Sequence, residues 1–259
     1  MIRIILVAAT VVLFLILSVP ILIFEWFLGR KNQQLRNEQS ISIVRKVFRF
    51  ILMLSGVTIT VKGEENIPKD RAVLYVGNHR SYFDILVGYV TAPGLVGFVA
   101  KKEMEKIPLL APWMKNVNCL FLDRKNLKEG LKTILLGIEQ VKSGISVWIF
   151  PEGTRNREED LGKLLDFKEG SLKIAEKSRC PVVPVAMTGT AEVFEKHLPF
   201  IRPSHVIIEF GEPFLIKELE PEVRKFPGAY TSRVIVNMLN AQQKENSVPS
   251  NSTTKEKKE

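Results

Sequence analysis

Cysteine and histidine are scarce in this 259-residue chain: two of the first, three of the second. Cys119 and Cys180 stand 61 positions apart with no C-x-x-C and no histidine beside either, so neither a disulfide framework nor a zinc knuckle is indicated, and a reducing, cytoplasmic setting is expected. No group of His, Asp, Glu and Cys has ligand spacing, which implies no metal or redox cofactor. The G-x-S-x-G turn that exposes a nucleophilic serine is missing too. No internal repeat occurs, and apolar residues make up 46% of the chain, which excludes a disordered or fibrous protein and fits one to two domains.

Positive charge is in excess, +9 overall, and its placement matters more than its size. Residues 1–50 hold Arg3, Arg30, Lys31, Arg36, Arg45, Lys46 and Arg49 against only Glu25 and Glu38. Basic residues flanking apolar sequence suit an anionic membrane surface. Neither a recognition motif nor interleaved aromatics accompany them, so no nucleic-acid partner is expected.

From Ile4 to Phe24 run 21 residues without a charge, enough for one helix to match a hydrocarbon core about 30 Å thick. The run exceeds the apolar segment of a signal peptide and ends in Glu25-Trp26-Phe27 rather than a small-residue cleavage site, favouring a retained anchor. Arg30, Lys31 and Arg36 follow it where only Arg3 precedes it, placing the C-terminal side in the cytoplasm. Pro20 introduces a kink, which leaves a tilted or partly inserted helix open. Residues 41–55 carry Ile41, Val44, Val47, Phe48, Ile51 and Leu52 at helical spacing around Arg45, Lys46 and Arg49. Two readings fit this second helix: it lies in the membrane interface, or it packs on the domain.

Beyond residue 57 strand and helix patterns alternate. Strands are expected at 57–61, 72–77, 96–100, 119–123, 146–150, 182–186 and 206–210, with helices near 82–90, 126–142, 168–178 and 230–243. Several strands are unbroken apolar runs, as befits a sheet covered on both faces. The fold class is therefore α/β, a single domain over 57–244 with a largely parallel or mixed central sheet flanked by helices. N-terminal membrane-associating helices (1–56) precede it, and the polar segment 245–259 is expected to form a disordered tail.

Chemistry gathers after strands, where α/β sheets bind ligands. In VLYVGNHRSYFDI, His79 follows a strand and Asp84 comes five residues later; the two meet if Asp84 opens a helix. A carboxylate then fixes the imidazole tautomer for general base work. Equally, Ser81-x-x-Asp84 matches a capping box. In SVWIFPEGTRN, Gly153 lets backbone approach a ligand and Arg155 offers a fork for phosphate, while Asp123-Arg124-Lys125 and Lys101-Lys102 put cations at two more strand ends.

NHRSYFD, the FLDR strand end, FPEGTR and VVPVAM, in that order, resemble the ordered blocks of the glycerolipid acyltransferases, specifically the 1-acylglycerol-3-phosphate acyltransferases. The resemblance covers roughly residues 57–215. It implies His79 as general base, Asp84 as its orienter, and Arg124, Glu152, Gly153, Thr154 and Arg155 as the acyl-acceptor and phosphate site, with Lys101 a weaker member. It further implies an acyl-CoA or acyl carrier protein thioester as donor, lysophosphatidic acid as acceptor, phosphatidic acid as product, and action at the cell membrane with the catalytic domain on its cytoplasmic face. Rival readings are acylation of glycerol-3-phosphate or another lysophospholipid, and a non-catalytic adaptor for anionic lipid. Asn156 after FPEGTR, Asn118-Cys119 before FLDR and LLAPW depart from the family pattern and bear on loop shape and acyl-chain preference.

Overall fold

The computed structural model describes residues 1–247. Helices α1 (Ile2–Leu17), α2 (Val19–Lys31) and α3 (Gln33–Ser55) lead into β1 (Val57–Lys62) and β2 (Leu74–Gly77). Then follow α4 (Phe83–Thr91), β3 (Val96–Lys101), α5 (Leu110–Asn116), β4 (Leu120–Leu122), α6 (Leu127–Lys142), β5 (Ser146–Ile149) and α7 (Lys173–Ser178). Strand β6 (Val182–Thr188), short α8 (Thr190–Val193), β7 (Ser204–Phe210), α9 (Pro221–Arg224) and α10 (Pro227–Ser247) complete the described chain.

The strands form one mixed sheet in the order β1-β7-β6-β2-β5-β3-β4. Neighbours β6, β2, β5, β3 and β4 are all parallel, whereas β7 is antiparallel to β6 and carries β1 parallel to itself. Five carboxyl ends therefore open on one edge of the sheet. Alternation along each strand separates two cores. Tyr75, Phe98, Trp148, Val183 and Val185 face one side with Val44, Leu52, Val87 and Trp113 of the helices. Leu74, Val76, Val147, Ile149 and Val182 face the other with Leu172, Ile174, Ile235 and Leu239.

The uncharged run is not the single helix expected over Ile4–Phe24. It breaks into α1 and α2, bent by 51°, and no single helix among the described residues is long and apolar enough to cross a membrane, although the bent pair passes by length and composition. The break falls at Ser18, two residues before Pro20, which occupies the first turn of α2 where its missing N–H costs nothing. Ser18 is buried and its Oγ accepts a 2.9 Å hydrogen bond from Trp113 Nε1 of α5, so tertiary contact holds the bend.

The second helix begins earlier than residue 41, at Gln33, because Asn32 caps it by accepting from the Leu35 N–H at 2.9 Å. It ends at Gly56, whose φ of +74° suits the left-handed closing residue. Its stripe of Ile41, Val44, Ile51 and Leu52 is buried on the domain. Arg45 bonds the carbonyls of Tyr89, Ala92 and Gly94 at 2.6–2.8 Å, neutralising the C-terminal end of α4 rather than facing solvent lipid. At the other terminus α10 continues to Ser247, so residues 245–247 of the segment read as tail are helical; 248–259 lie outside the described residues.

Candidate active site

Strand β2 ends at Gly77, and Asn78 anchors the following loop to β6 by a reciprocal pair with Met187, donating to its carbonyl at 2.9 Å and accepting from its N–H at 2.8 Å. This fixes His79 at the centre of the sheet edge. Its Nδ1 lies 2.8 Å from Asp84 Oδ2, and the ring stacks on Phe150, centroids 4.2 Å apart at 11°. The same Asp84 oxygen accepts from the N–H groups of Arg80 and Ser81 at 2.7 and 2.8 Å. The fully buried carboxylate, in the first turn of α4, thus holds both the imidazole and the loop backbone that leads into the helix.

Glu152 does not reach a ligand-accessible surface. It is buried, and its two oxygens accept from the backbone N–H of His79 at 2.7 Å and of Leu165 at 2.9 Å. Burial raises its carboxyl above the ordinary carboxylate range, partly offset by those N–H donors. The His79 carbonyl in turn accepts from the Asn156 N–H at 2.7 Å. Both sides of the histidine's backbone are therefore clamped by the FPEGTRN segment.

A cavity of ≈ 370 Å³ begins at this edge and runs between the sheet and the N-terminal helices. Its polar end is lined by His79, Lys101, Arg124, Gly153, Thr154 and Arg155. Its apolar length is lined by Val11, Phe14 and Leu15 of α1, Val44, Val47 and Ile51 of α3, and Phe98, Trp113 and Cys119 of the domain. Every expected site residue except Asp84 and Glu152 lines the cavity, and those two stand behind its wall, each bonded to His79. Gly153 has φ +74°, and a side chain there would meet the Arg124 guanidinium 3.5 Å away. Asp123, expected to end its strand, instead accepts from the Lys125 and Asn126 N–H groups at 2.9 and 3.0 Å, turning the chain so that Arg124 joins the cavity. Tyr82, part of NHRSYFD but given no role by the sequence, supports Arg155, whose guanidinium carbon sits 3.7 Å over its ring.

Such an arrangement can deprotonate a bound hydroxyl, hold an anion beside it and shelter a long apolar group.

Comparison with known proteins agrees with that chemistry. Residues 58–188 match the Acyltransferase family model. The 1-acyl-sn-glycerol-3-phosphate acyltransferase of Saccharomyces cerevisiae is 30% identical over 68% of this chain and 57% of its own length. That of Borreliella burgdorferi is 32% identical over 62% of this chain and 63% of its own, and the human alpha form 30% identical over 62% and 56%. The chain thus spans less than two thirds of the length of these relatives. Among solved structures, the 1-acyl-sn-glycerophosphate (LPA) acyltransferase PlsC from Thermotoga maritima superposes with a TM-score of 0.78 at 27% identity, covering 93% of this chain and 95% of its own.

Proposed function

The chain belongs to the Acyltransferase family, and from that premise we propose that it transfers a fatty acyl group from a thioester, acyl-CoA or acyl carrier protein, to the sn-2 hydroxyl of 1-acylglycerol-3-phosphate, forming phosphatidic acid. The observation that carries this reading is the His79–Asp84 pair, 2.8 Å apart, at the polar mouth of an otherwise apolar cavity. Asp84 engages Nδ1, so Nε2 is the atom that accepts the hydroxyl proton. The freed oxygen attacks the thioester carbonyl, and the tetrahedral oxyanion collapses with cleavage of the C–S bond. The proton on Nε2 passes to the departing sulfur, restoring neutral imidazole. No residue of the chain is acylated in this route.

Arg155, Arg124 and Lys101 form the cationic rim that receives the acceptor's phosphate, guanidinium forks matching phosphate oxygens bidentately. Gly153 and Thr154 shape the loop against it. Glu152 acts one step removed, holding the backbone of His79.

Membrane association fits the same reading. Helices α1 and α2 expose Ile2, Ile5, Leu13, Ile16, Leu17, Phe24, Trp26 and Phe27, an apolar surface suited to burial in one leaflet. Arg30, stacked 3.8 Å over Trp26, and Lys31 meet anionic head groups on the cytoplasmic side. Because α1 also walls the cavity, a single-chain phospholipid can enter without leaving an apolar environment.

The test is acyl transfer by the purified protein in mixed micelles, with both donors and with lysophosphatidic acid, glycerol-3-phosphate and lysophosphatidylcholine as acceptors. Preference for lysophosphatidic acid is expected. Lipid binding without transfer would leave only the adaptor reading.

A further inference from the structure

The last parallel strand of the sheet edge supplies a carboxylate that no motif announces. After β6, the chain turns at Gly189 (φ +83°) into α8 and then a single 3-10 turn at Glu195–His197. Glu195 lies beyond the segment matched by the family model. Its side chain is only 16% exposed, and both its oxygens are engaged. Oε2 accepts from Ser81 Oγ at 2.5 Å; Oε1 accepts from the Tyr82 N–H at 2.9 Å and from Arg155 Nη1 at 2.8 Å. One carboxylate thus joins the first turn of α4, which carries Asp84, to the guanidinium on the cavity rim.

The geometry points to Glu195 as a positioning residue that sets the acceptor's phosphate at a fixed distance from the general base; this rests on the function proposed above. Three constraints make the case. Arg155 is held from one edge by Glu195 and from its face by Tyr82, so its remaining N–H donors keep one direction. A pre-oriented fork loses less freedom on meeting phosphate than a swinging one. Glu195 also fills an N–H at the opening of α4 that intrahelical bonding leaves orphaned. The same turn presents Asp84 to His79, so base and phosphate site share one support.

Glu195 does not itself line the cavity, and its route to the phosphate runs through the guanidinium of Arg155 that it holds. That makes a double-mutant cycle the decisive measurement. Glu195→Ala, Arg155→Ala and the double variant would be assayed with lysophosphatidic acid and a long-chain acyl-CoA, alongside thermal unfolding. Glu195→Ala should raise the acceptor KM about tenfold or more, the loss expected for a charge-assisted bond, with the donor KM within about twofold. The double variant should be no worse than Arg155→Ala alone. Glu195→Gln, which keeps an acceptor oxygen and the packing, should fall between wild type and Glu195→Ala and guards against a merely misfolded alanine variant.

Multiplicative losses in the double variant would overturn the inference while leaving the phosphate role of Arg155 standing. Equal loss of acceptor and donor affinity with a lowered Tm would reduce Glu195 to a structural brace. A lower acceptor KM in Glu195→Ala would mean that the carboxylate competes with phosphate for Arg155, the opposite of positioning. If Arg155→Ala alone leaves the acceptor KM unchanged, the failure lies in the phosphate assignment on which the inference stands.

Discussion

The two faces of the sheet use the same strands differently. On one, Tyr75, Phe98, Trp148 and Phe150 form a run of ring contacts with centroids 5.0–6.2 Å apart that ends in the stacked His79, and the covering helices leave a cavity of ≈ 370 Å³. On the other, aliphatic side chains of the strands close against Leu172, Ile174, Ile235 and Leu239, each fully buried. Flat rigid rings can wall an open space without collapsing into it, whereas branched aliphatics fill whatever they meet. Both faces are packed, but only the open one adjoins the cavity and His79. Substitutions should therefore separate into those that lose turnover and those that lose the fold.

The largest effect belongs to the open face. His79→Ala should reduce turnover by roughly a thousandfold, the range of a lost general base, with a smaller loss of Tm, because the ring's stacking on Phe150 and its bond to Asp84 go with it. Asp84→Asn should lose both, since its Oδ2 serves the imidazole and two backbone N–H groups at once. Steady-state rates beside calorimetry check the pair; an Asp84→Asn protein with normal Tm would show that the bonds to the loop N–H groups contribute little.

On the closed face, Ile174→Ala should cost about 2–5 kcal/mol of stability and leave the KM of either substrate untouched. Its fold is read from denaturant midpoints, its kinetics well below the transition. A change in acceptor KM there would break the division of labour between the faces.

That division was only partly legible in the residues. Several strands are marked by unbroken apolar runs, and β2, β5 and β6 sit within a residue or two of where those runs place them, because burial on both faces writes a local signal. His79, Arg124 and Arg155 were marked by following such runs. What periodicity could not carry was long-range. The bend at Ser18 depends on Trp113, 95 residues away; α5 contains Pro112 in its first turn and shows little pattern of its own. Glu195 gains meaning only from Ser81, Tyr82 and Arg155. Glu152 looked like a ligand group beside Arg155, and only the backbone path from Leu165 and His79 shows where its oxygens point.

A smaller effect sharpens the comparison from within the cavity. Val47, half-buried in α3, lines its apolar length. Val47→Trp adds bulk to open space rather than to packed core, so overpacking strain should be slight. Turnover with long-chain substrates should fall about tenfold relative to short-chain ones, as expected where a pocket is shortened. Equal loss across chain lengths would place the hydrocarbon elsewhere.

The smallest effect asks whether α1 and α2 belong to the open face or merely cover it. Ser18→Ala removes the acceptor of the Trp113 indole N–H, both residues being 2% exposed, and an orphaned buried donor costs about 1 kcal/mol or somewhat more. For a chain of this size that is a Tm drop of roughly 2–4 °C. Phe14 sits one turn away, its ring centroid 5.1 Å from that of Trp113, and both rings line the cavity. If the bend is part of the wall, its loosening should blur the preference among acyl chain lengths while His79-dependent chemistry on a short substrate proceeds at the normal rate. Tm and a chain-length series measured on the same preparation decide the matter. A Tm loss with an unaltered series would assign the bend to docking alone, and the cavity's shape would then rest on α3 and the domain.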